Sequence, residues 1–388
     1  MNPVVRQFRD FFVSLQLTVV LLILSLLLVF VATLDQVNLG IWAVQAKYFR
    51  SFFVMWQLPN SNVSFPIFPG GYFVGGMLLL NLLAAHIYRF AFNFKKMGIQ
   101  LAHSGLILLL FGELISGLLQ TDSNMRLEEG ETKQYSESFR DNELAILDRT
   151  NPAYDDVVAI PEAVLADEGT IQHPKLPFTV KVKAYYANSS LQMGDPSGRP
   201  GAPVANQGLG TRVQVLPLAL TYKPDERNIP AAFVEVIGPK GSIGTWVVSP
   251  GVGMPQNFSL DGHTWELVFR FKRYYKPFAV TLLKFSHDKY PGTEIPKNFS
   301  SRVRVKSDDG HDDREVLIYM NNPLRHGGFT FYQAGFENND KVTILQVVSN
   351  PGWLLPYIAC IMMGVGLVIQ FGQSLRSFIR KRAATTTN

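Results

Sequence analysis

One cysteine, Cys360, occurs in 388 residues. That excludes an intrachain disulfide, a CxxC redox pair and a cysteine-built metal cluster. Cys360 falls inside an uncharged apolar run, where a lone thiol behaves as a small apolar residue. The chain also lacks a G-x-S-x-G elbow, a P-loop and an HExxH pair, so neither a hydrolase nor a nucleotide triphosphatase has a motif to rest on. His173, His263, His287, His311 and His326 show no HxH or HxxxH spacing, which removes a local zinc chelate. His287 and His311 stand among Asp and Lys residues and are expected on solvated loops. No internal repeat is present. Charge is scarce at 17%, and it is missing altogether from residues 11–34 and 353–373, the first and last of the long apolar stretches.

Those stretches are what the chain has in place of motifs. Four runs are long enough to cross a bilayer, which takes about 20 apolar residues. They cover residues 11–34, 71–92, 97–120 and 353–373. No clear small-x-small cleavage site follows Thr33, and the first run exceeds a signal-peptide core, so it reads as a retained span. Arg6 and Arg9 precede the first run, Arg89, Lys95 and Lys96 lie between the second and third, and Arg376, Arg380, Lys381 and Arg382 follow the fourth. With alternating spans all three basic clusters fall on one side, and that side is the cytoplasm. The net charge of +5 is thus a topology signal and implies no nucleic acid. Residues 40–58 mix Trp42, Tyr48, Phe49, Phe52, Phe53 and Trp56 with Gln45, Lys47 and Arg50, and read as an amphipathic interfacial helix or an aromatic belt. Pro59, Pro66, Pro69 and Gly70-Gly71 then interrupt the chain. Gly71-x-x-x-Gly75, Gly105 and Gly112 are packing signals for helices in lipid.

The long segment between the third and fourth runs alternates apolar and polar residues with period two. Examples are Phe178-Thr-Val-Lys-Val-Lys, Ala232-Phe-Val-Glu-Val-Ile, Ser301-Arg-Val-Arg-Val-Lys and Glu315-Val-Leu-Ile-Tyr-Met. Pro239-Lys-Gly and Asp308-Asp-Gly punctuate them, and residues 196–210 read as a long surface loop. The expected fold class is a membrane helical bundle of four spans with a large exported all-β domain, a sandwich or open barrel, between spans three and four. The expected division is 1–120 for the first membrane part, 121–351 for the β domain, and 352–388 for the last span and its basic tail.

Three side chains in the apolar runs are titratable and point to chemistry. His103 lies near the start of the third run and His86 near the end of the second, so both sit toward the same end of an antiparallel helix pair. Neutral imidazole is the commonest protein metal ligand, and His103 is a candidate axial ligand to a haem, with a hydrogen-bonded helix-end histidine as the alternative. His86 is a candidate for the same haem or for an interfacial ring. Glu113 follows His103 by ten residues, about 15 Å of helix, and is a candidate partner or propionate contact or an interfacial carboxylate. Outside the membrane, Gly327–Phe336 is dense in aromatics. Phe329 and Phe331 would share one strand face with Tyr332 on the other.

Several of these patterns together resemble the ResB family, also called CcsB, of the type II cytochrome c maturation system. The first span opens with Ser14-Leu-Gln-Leu-Thr18. Gly98-Ile-Gln-Leu-Ala-His103-Ser-Gly-Leu-Ile-Leu-Leu-Leu-Phe-Gly112 looks like the family's histidine-bearing third helix. Leu127-Glu-Glu-Gly-Glu-Thr is similar to its entry into the exported domain. Asn322-Pro-Leu-Arg-His-Gly-Gly-Phe-Thr-Phe-Tyr-Gln-Ala-Gly-Phe336 looks like its NxPL…G[FY]xFYQ[AS] signature. The chain departs from the family's Asp-Pro-Gly before the last helix in having Asn350, and it carries no WWD-like segment.

The resemblance implies a subunit of a holocytochrome c synthase, non-catalytic or accessory, in a bacterial inner membrane with both termini cytoplasmic and the β domain periplasmic. It implies haem b as cofactor, with His103 as a ligand, and His86 as a further candidate whose family counterpart is open. It implies a CcsA/ResC-type WWD protein and an apocytochrome c bearing CxxCH as partners. Phe329, Phe331, Tyr332, Gln333 and Phe336, with Glu113, are the candidate docking residues. A haem-free docking scaffold and an intrachain bis-histidine electron carrier are the competing readings.

Overall fold

A computed structural model describes residues 3–58, 63–89, 94–152, 154–194, 204–221, 227–293, 296–337 and 341–386. The chain separates into two units, one made of Met1–Gln120 and Asn350–Asn388, the other of Thr121–Thr221 and Glu226–Ser349.

In the first unit, α1 (Pro3–Phe12) stops at Val13–Ser14, where the Ser14 hydroxyl accepts the Gln16 N–H at 3.1 Å and caps α2 (Leu15–Val44). The first span therefore begins after a helix break at Ser14 and runs beyond residue 34. The break is pinned from outside. Asn81, 3% exposed, donates to the carbonyls of Phe12 at 2.7 Å and Ser14 at 3.1 Å and accepts the Thr18 hydroxyl at 2.6 Å. A second bend falls at Gly40, whose φ of +73° suits a residue without Cβ. Across that bend Asp35 accepts both the Lys47 ammonium and the Tyr48 hydroxyl at 2.8 Å.

The aromatic segment 40–58 is helical only as far as Phe49. Its second half forms β1 (Phe53–Gln57), paired antiparallel with β2 (Ser64–Pro69). Phe53, Val54 and Trp56 favour extended backbone, and Pro66 and Pro69 exclude a helix interior. Residues 59–62, with Pro59, lie outside the described residues. Next comes α3 (Gly71–Arg89), then α4 (Met97–Leu119). The last residues of the expected second span, 90–92, are also outside the described residues.

Among the described residues the second unit is all-β apart from one short α-helix and a 3-10 turn. Its elements are β3 (Thr121–Glu128), β4 (Thr132–Asp148), β5 (Asp156–Pro161), α5 (Glu162–Ala166), β6 (Thr170–Ile171), β7 (Thr179–Tyr186), β8 (Ser189–Met193), β9 (Val213–Pro217), β10 (Ala231–Gly238), β11 (Gly241–Val248), β12 (Gln256–Leu260), β13 (His263–Lys289), β14 (Pro296–Ser307), β15 (Asp313–Tyr319), β16 (Leu324–His326), β17 (Phe329–Glu337) and β18 (Val342–Ser349). The main ten-stranded sheet runs β15-β14-β13-β4-β3-β18-β17-β16, with β12 on β13 and β5 on β4, and a four-stranded sheet runs β11-β10-β7-β6. Of the expected loop 196–210, residues 196–203 lie outside the described residues, and Gly208–Thr211 forms a 3-10 turn.

Two hydrophobic cores hang on the two longest strands. Trp265, Leu267 and Phe269 of β13, with Leu144 and Ile146 of β4, pack against Val180, Val234 and Trp246 of the smaller sheet. Further along, Phe278, Val280, Leu282 and Phe285 of β13 face Met125, Val303, Phe331 and Leu345. The i, i+2 spacing puts each set on one strand face, and the irregularity between Leu282 and Lys284 returns Phe285 to that face. Register against β4 slips between Phe271 and Arg273 and again between Tyr275 and Val280, so the strand bends between its two cores. The first core is a sandwich. The second is enclosed by a nearly closed sheet, across which Ser301 of β14 bonds Gln333 of β17 at 2.6 Å and Thr343 of β18 at 2.8 Å.

In the first unit, α6 (Leu355–Thr386) packs along α4. Gly98, Gly105 and Gly112 recur every seven residues and are the buried residues of α4. A Cβ on Gly98 would stand 2.7 Å from Gln370 N, and one on Gly105 2.8 Å from the Ala359 carbonyl oxygen. Backbones this close need small residues on both sides, which Ala102 and Gly366 also supply. Asn350 sets the entry to α6. Its Oδ1 accepts the Gly352 N–H at 2.8 Å, while its Nδ2 donates to Ser116 at 3.0 Å and Gln120 at 3.1 Å. An aspartate here could accept but never donate, so the amide is matched to its neighbours.

Candidate functional site

His103 is half-buried on the second turn of α4. Its Nδ1 lies 2.8 Å from the Ile99 carbonyl oxygen one turn earlier. A carbonyl only accepts, so the bond places the ring proton on Nδ1 and leaves the lone pair on Nε2. This is the tautomer and the outer-atom support that metal-ligating histidines use. Around the helix, His103 lies about 200° from Gly105. It therefore stands roughly opposite the glycine stripe packed on α6, on a side that also carries the exposed Phe111 and Leu114.

Ser104, about 100° from the stripe, turns toward α3. Its Oγ is 3.3 Å from His86 Nε2. The two histidines thus meet the same level of α4, His103 by its position and His86 by its contact with the next residue. His86 Nε2, the nitrogen farther from its backbone, is engaged with the serine. Glu113 is exposed near the other end of α4, far from both rings. Ser104 escaped the sequence reading because a serine in an apolar helix carries no signal until its neighbour is known. Asn81 was a better clue that went unused, being a lone amide inside an apolar run.

The aromatic segment divides between core and surface. Phe331 is fully buried in the second β core and Phe329 packs at its margin. Gln333 points inward, bonding Ser301 and accepting and donating around Thr343, with its amide also 3.0 Å from the Gly335 carbonyl. Tyr332 at 38% and Phe336 at 40% are the members exposed to solvent. Phe336 belongs to a ring cluster with Phe285, Phe299 and His287, its centroid 4.9 Å from the histidine ring. His287 is accordingly a strand residue among phenylalanines, because β13 extends to Lys289; it is not on a solvated loop. His311 is exposed in the turn before β15.

Among the described residues no group of three or more His, Cys, Asp or Glu is placed to hold a metal ion. His263 and His326 instead contact Asp148 at 2.7 Å and Asp312 at 3.3 Å. The least expected polar group is Lys276, 5% exposed between the two β cores. Its ammonium reaches Ser136 Oγ at 2.6 Å and the Tyr274 carbonyl at 3.2 Å and lies 4.5 Å from the centre of the Phe329 ring. Burial lowers its pKa to about 8.

Four helices long and apolar enough to cross a membrane, joined in one chain to a large all-β unit with a nearly closed sheet, define a membrane-anchored β-domain protein. A ResB-like family model matches residues 244–344, from within β11 to within β18, a stretch that contains the whole Asn322–Phe336 segment. The protein NrfI of Wolinella succinogenes is 25% identical over 304 residues, an alignment covering 76% of this chain and 29% of that protein. Over residues 244–344 the chain is similar to the ResB-like family. It spans under a third of the length of the curated relative it matches.

Proposed function

We propose that this chain is a subunit of a cytochrome c biogenesis complex that handles haem b at the His103 level of its membrane helices. The ResB-like match over residues 244–344 and the likeness to NrfI support the cytochrome c role. The observation that carries the haem reading is the His103 Nδ1–Ile99 carbonyl bond of 2.8 Å, which holds the ring in a ligating tautomer on a side of α4 away from α6. One such imidazole on a protein surface fits an iron shared with a second polypeptide. When bound, the iron–porphyrin would supply the group to be transferred, and this chain's part is to bind and orient it. His103 would hold the iron through Nε2, and a CcsA/ResC-type WWD protein would supply a second ligand and the attachment to the CxxCH of apocytochrome c. The complex would sit in a bacterial inner membrane with both termini cytoplasmic and the β unit periplasmic, as the lysine and arginine placement favours. Tyr332 and Phe336 are the members of the aromatic segment available to touch a client or the partner.

The intrachain bis-histidine carrier would require His86 to give up its contact with Ser104. The two readings separate in one experiment. The chain is purified in detergent with and without a CcsA-type partner, and absorption spectra and pyridine haemochromes are recorded for wild type, His103→Ala and His86→Ala. A b-type spectrum that needs the partner and is lost with His103→Ala alone is expected. Haem held by the chain alone and lost with either substitution identifies the electron carrier. A spectrum unaffected by His103→Ala, or no haem under any condition, overturns the proposal and leaves a docking scaffold.

A further inference from the structure

We infer that α1 is a membrane-surface helix, lying in the bilayer interface with its apolar arc against lipid acyl chains and its arginines at the phosphate level. The helix is ten residues long, and its side chains are sorted by face. With 3.6 residues per turn, Val4, Val5, Phe8, Phe11 and Phe12 fall within an arc of about 120°, with Arg6 and Asp10 on the opposite side and Arg9 at the flank. No part of α1 is buried in the protein. Val4, Val5, Phe8 and Phe11 are each more than half exposed, so the arc faces something other than this chain.

The occupant follows from where α1 is held. It is joined through Val13 and Ser14 to α2, which is apolar and uncharged from Leu15 to Leu34 and so must lie in hydrocarbon. The joint is also fixed to a second spanning helix, because Asn81 of α3 bonds the carbonyls of both Phe12 and Ser14. The carboxyl end of α1 is therefore anchored at the point where α2 enters the bilayer. A helix starting there, with one apolar arc and basic residues off it, is the pattern of an interfacial helix. Arg9 is paired with Asp10 at 2.6 Å, which leaves Arg6 as the charge directed at anionic headgroups. The apolar arc, more than charge, holds the helix down.

The single cysteine makes the test direct. Cys360→Ala gives a cysteine-free full-length chain, and Val5→Cys, Phe8→Cys, Arg6→Cys and Asp10→Cys each accept one nitroxide label. The labelled chains are placed in vesicles of phosphatidylcholine and phosphatidylglycerol. Collision of each label with oxygen, which concentrates in lipid, is compared with collision with a water-soluble nickel chelate. A several-fold higher oxygen-to-nickel ratio at positions 5 and 8 than at 6 and 10 is expected. Equal nickel access at all four positions places α1 in water and overturns the inference. Labels at 5 and 8 shielded from both reagents show a protein surface, a partner or a second copy, on the arc and overturn it equally. Arg6 and Asp10 are off the apolar arc, so their labels report on the helix even where a change within the arc disturbs it.

Discussion

Replacing Lys276 by Met should stabilise the β unit at neutral pH and remove a pH dependence that the wild type shows in alkali. The side chain is 5% exposed and its pKa is lowered from the ordinary 10.5 to about 8 by burial alone. Among the described residues no ion pair to it is found; its neighbours are Ser136, the Tyr274 carbonyl and the Phe329 ring. A lowered pKa in a cationic group means that the folded state disfavours the proton. Above pH 10.5 the lysine is neutral folded or unfolded, and no penalty applies. As pH falls from 10.5 to about 8 the unfolded chain binds a proton the folded one resists, and stability drops. Below about 8 both states are protonated and the penalty is complete. A gap of about 2.5 units at 1.36 kcal/mol per unit amounts to about 3 kcal/mol. Met fills a similar volume without charge but gives up the bond to Ser136, a loss of about 1 kcal/mol. Ser136 keeps its 2.8 Å partner Ser123, so no hydroxyl is stranded. The net gain expected for Lys276→Met at pH 7 is about 1–2 kcal/mol. Guanidinium unfolding of the full chain in detergent, followed by tryptophan fluorescence at pH 7, 8, 9 and 10.5, measures it. The reasoning is refuted if wild-type stability does not rise between pH 8 and 10.5 relative to Lys276→Met, or if the variant is the less stable at pH 7.

Three further outcomes follow from packing and exposure. Gly105→Leu forces a side chain against the Ala359 carbonyl and Met363, so it should cost about 2–3 kcal/mol or more, whereas Gly117→Leu, with nothing within 4 Å of its Cβ position, should be near neutral. Equal thermal midpoints for the two in detergent would dismiss the close α4–α6 contact. Gln333→Leu should destabilise the β unit by about 2 kcal/mol through its lost bonds to Ser301 and Thr343. Tyr332→Ala should cost under about 1 kcal/mol while lowering the yield of haem-attached cytochrome c, if this face meets a client. A Tyr332→Ala protein that is stable and fully active removes Tyr332 from the docking surface.

The spans were readable because lipid imposes one rule over twenty residues at a time, and hydropathy reports it without any knowledge of neighbours. The β character of the second unit was readable for a similar reason, since period-two alternation is local. The helix breaks were harder. Ser14 offers a local cap, but the freed carbonyls of Phe12 and Ser14 are satisfied by the amide of Asn81, 69 and 67 positions away. The segment 53–57 looked helical by composition and is a strand because β2 supplies its partner. Gln333 read as a docking candidate in a strand either in the core or at a contact; its face is set by Ser301 and Thr343, which sit on other strands.

The amino-acid order alone established four runs long and apolar enough to span a bilayer, an all-β segment between the third and fourth, one usable thiol and two histidines toward the same end of a helix pair. Each of these is a property of composition or of spacing along the chain. Folding in three dimensions decided which nitrogen of His103 bears the proton, that His86 spends its outer nitrogen on Ser104, that two cores share β13, and that a lysine lies buried between them. Those outcomes depend on groups distant in sequence meeting at hydrogen-bond range, and an alternation or a hydropathy run carries no record of who the neighbour will be.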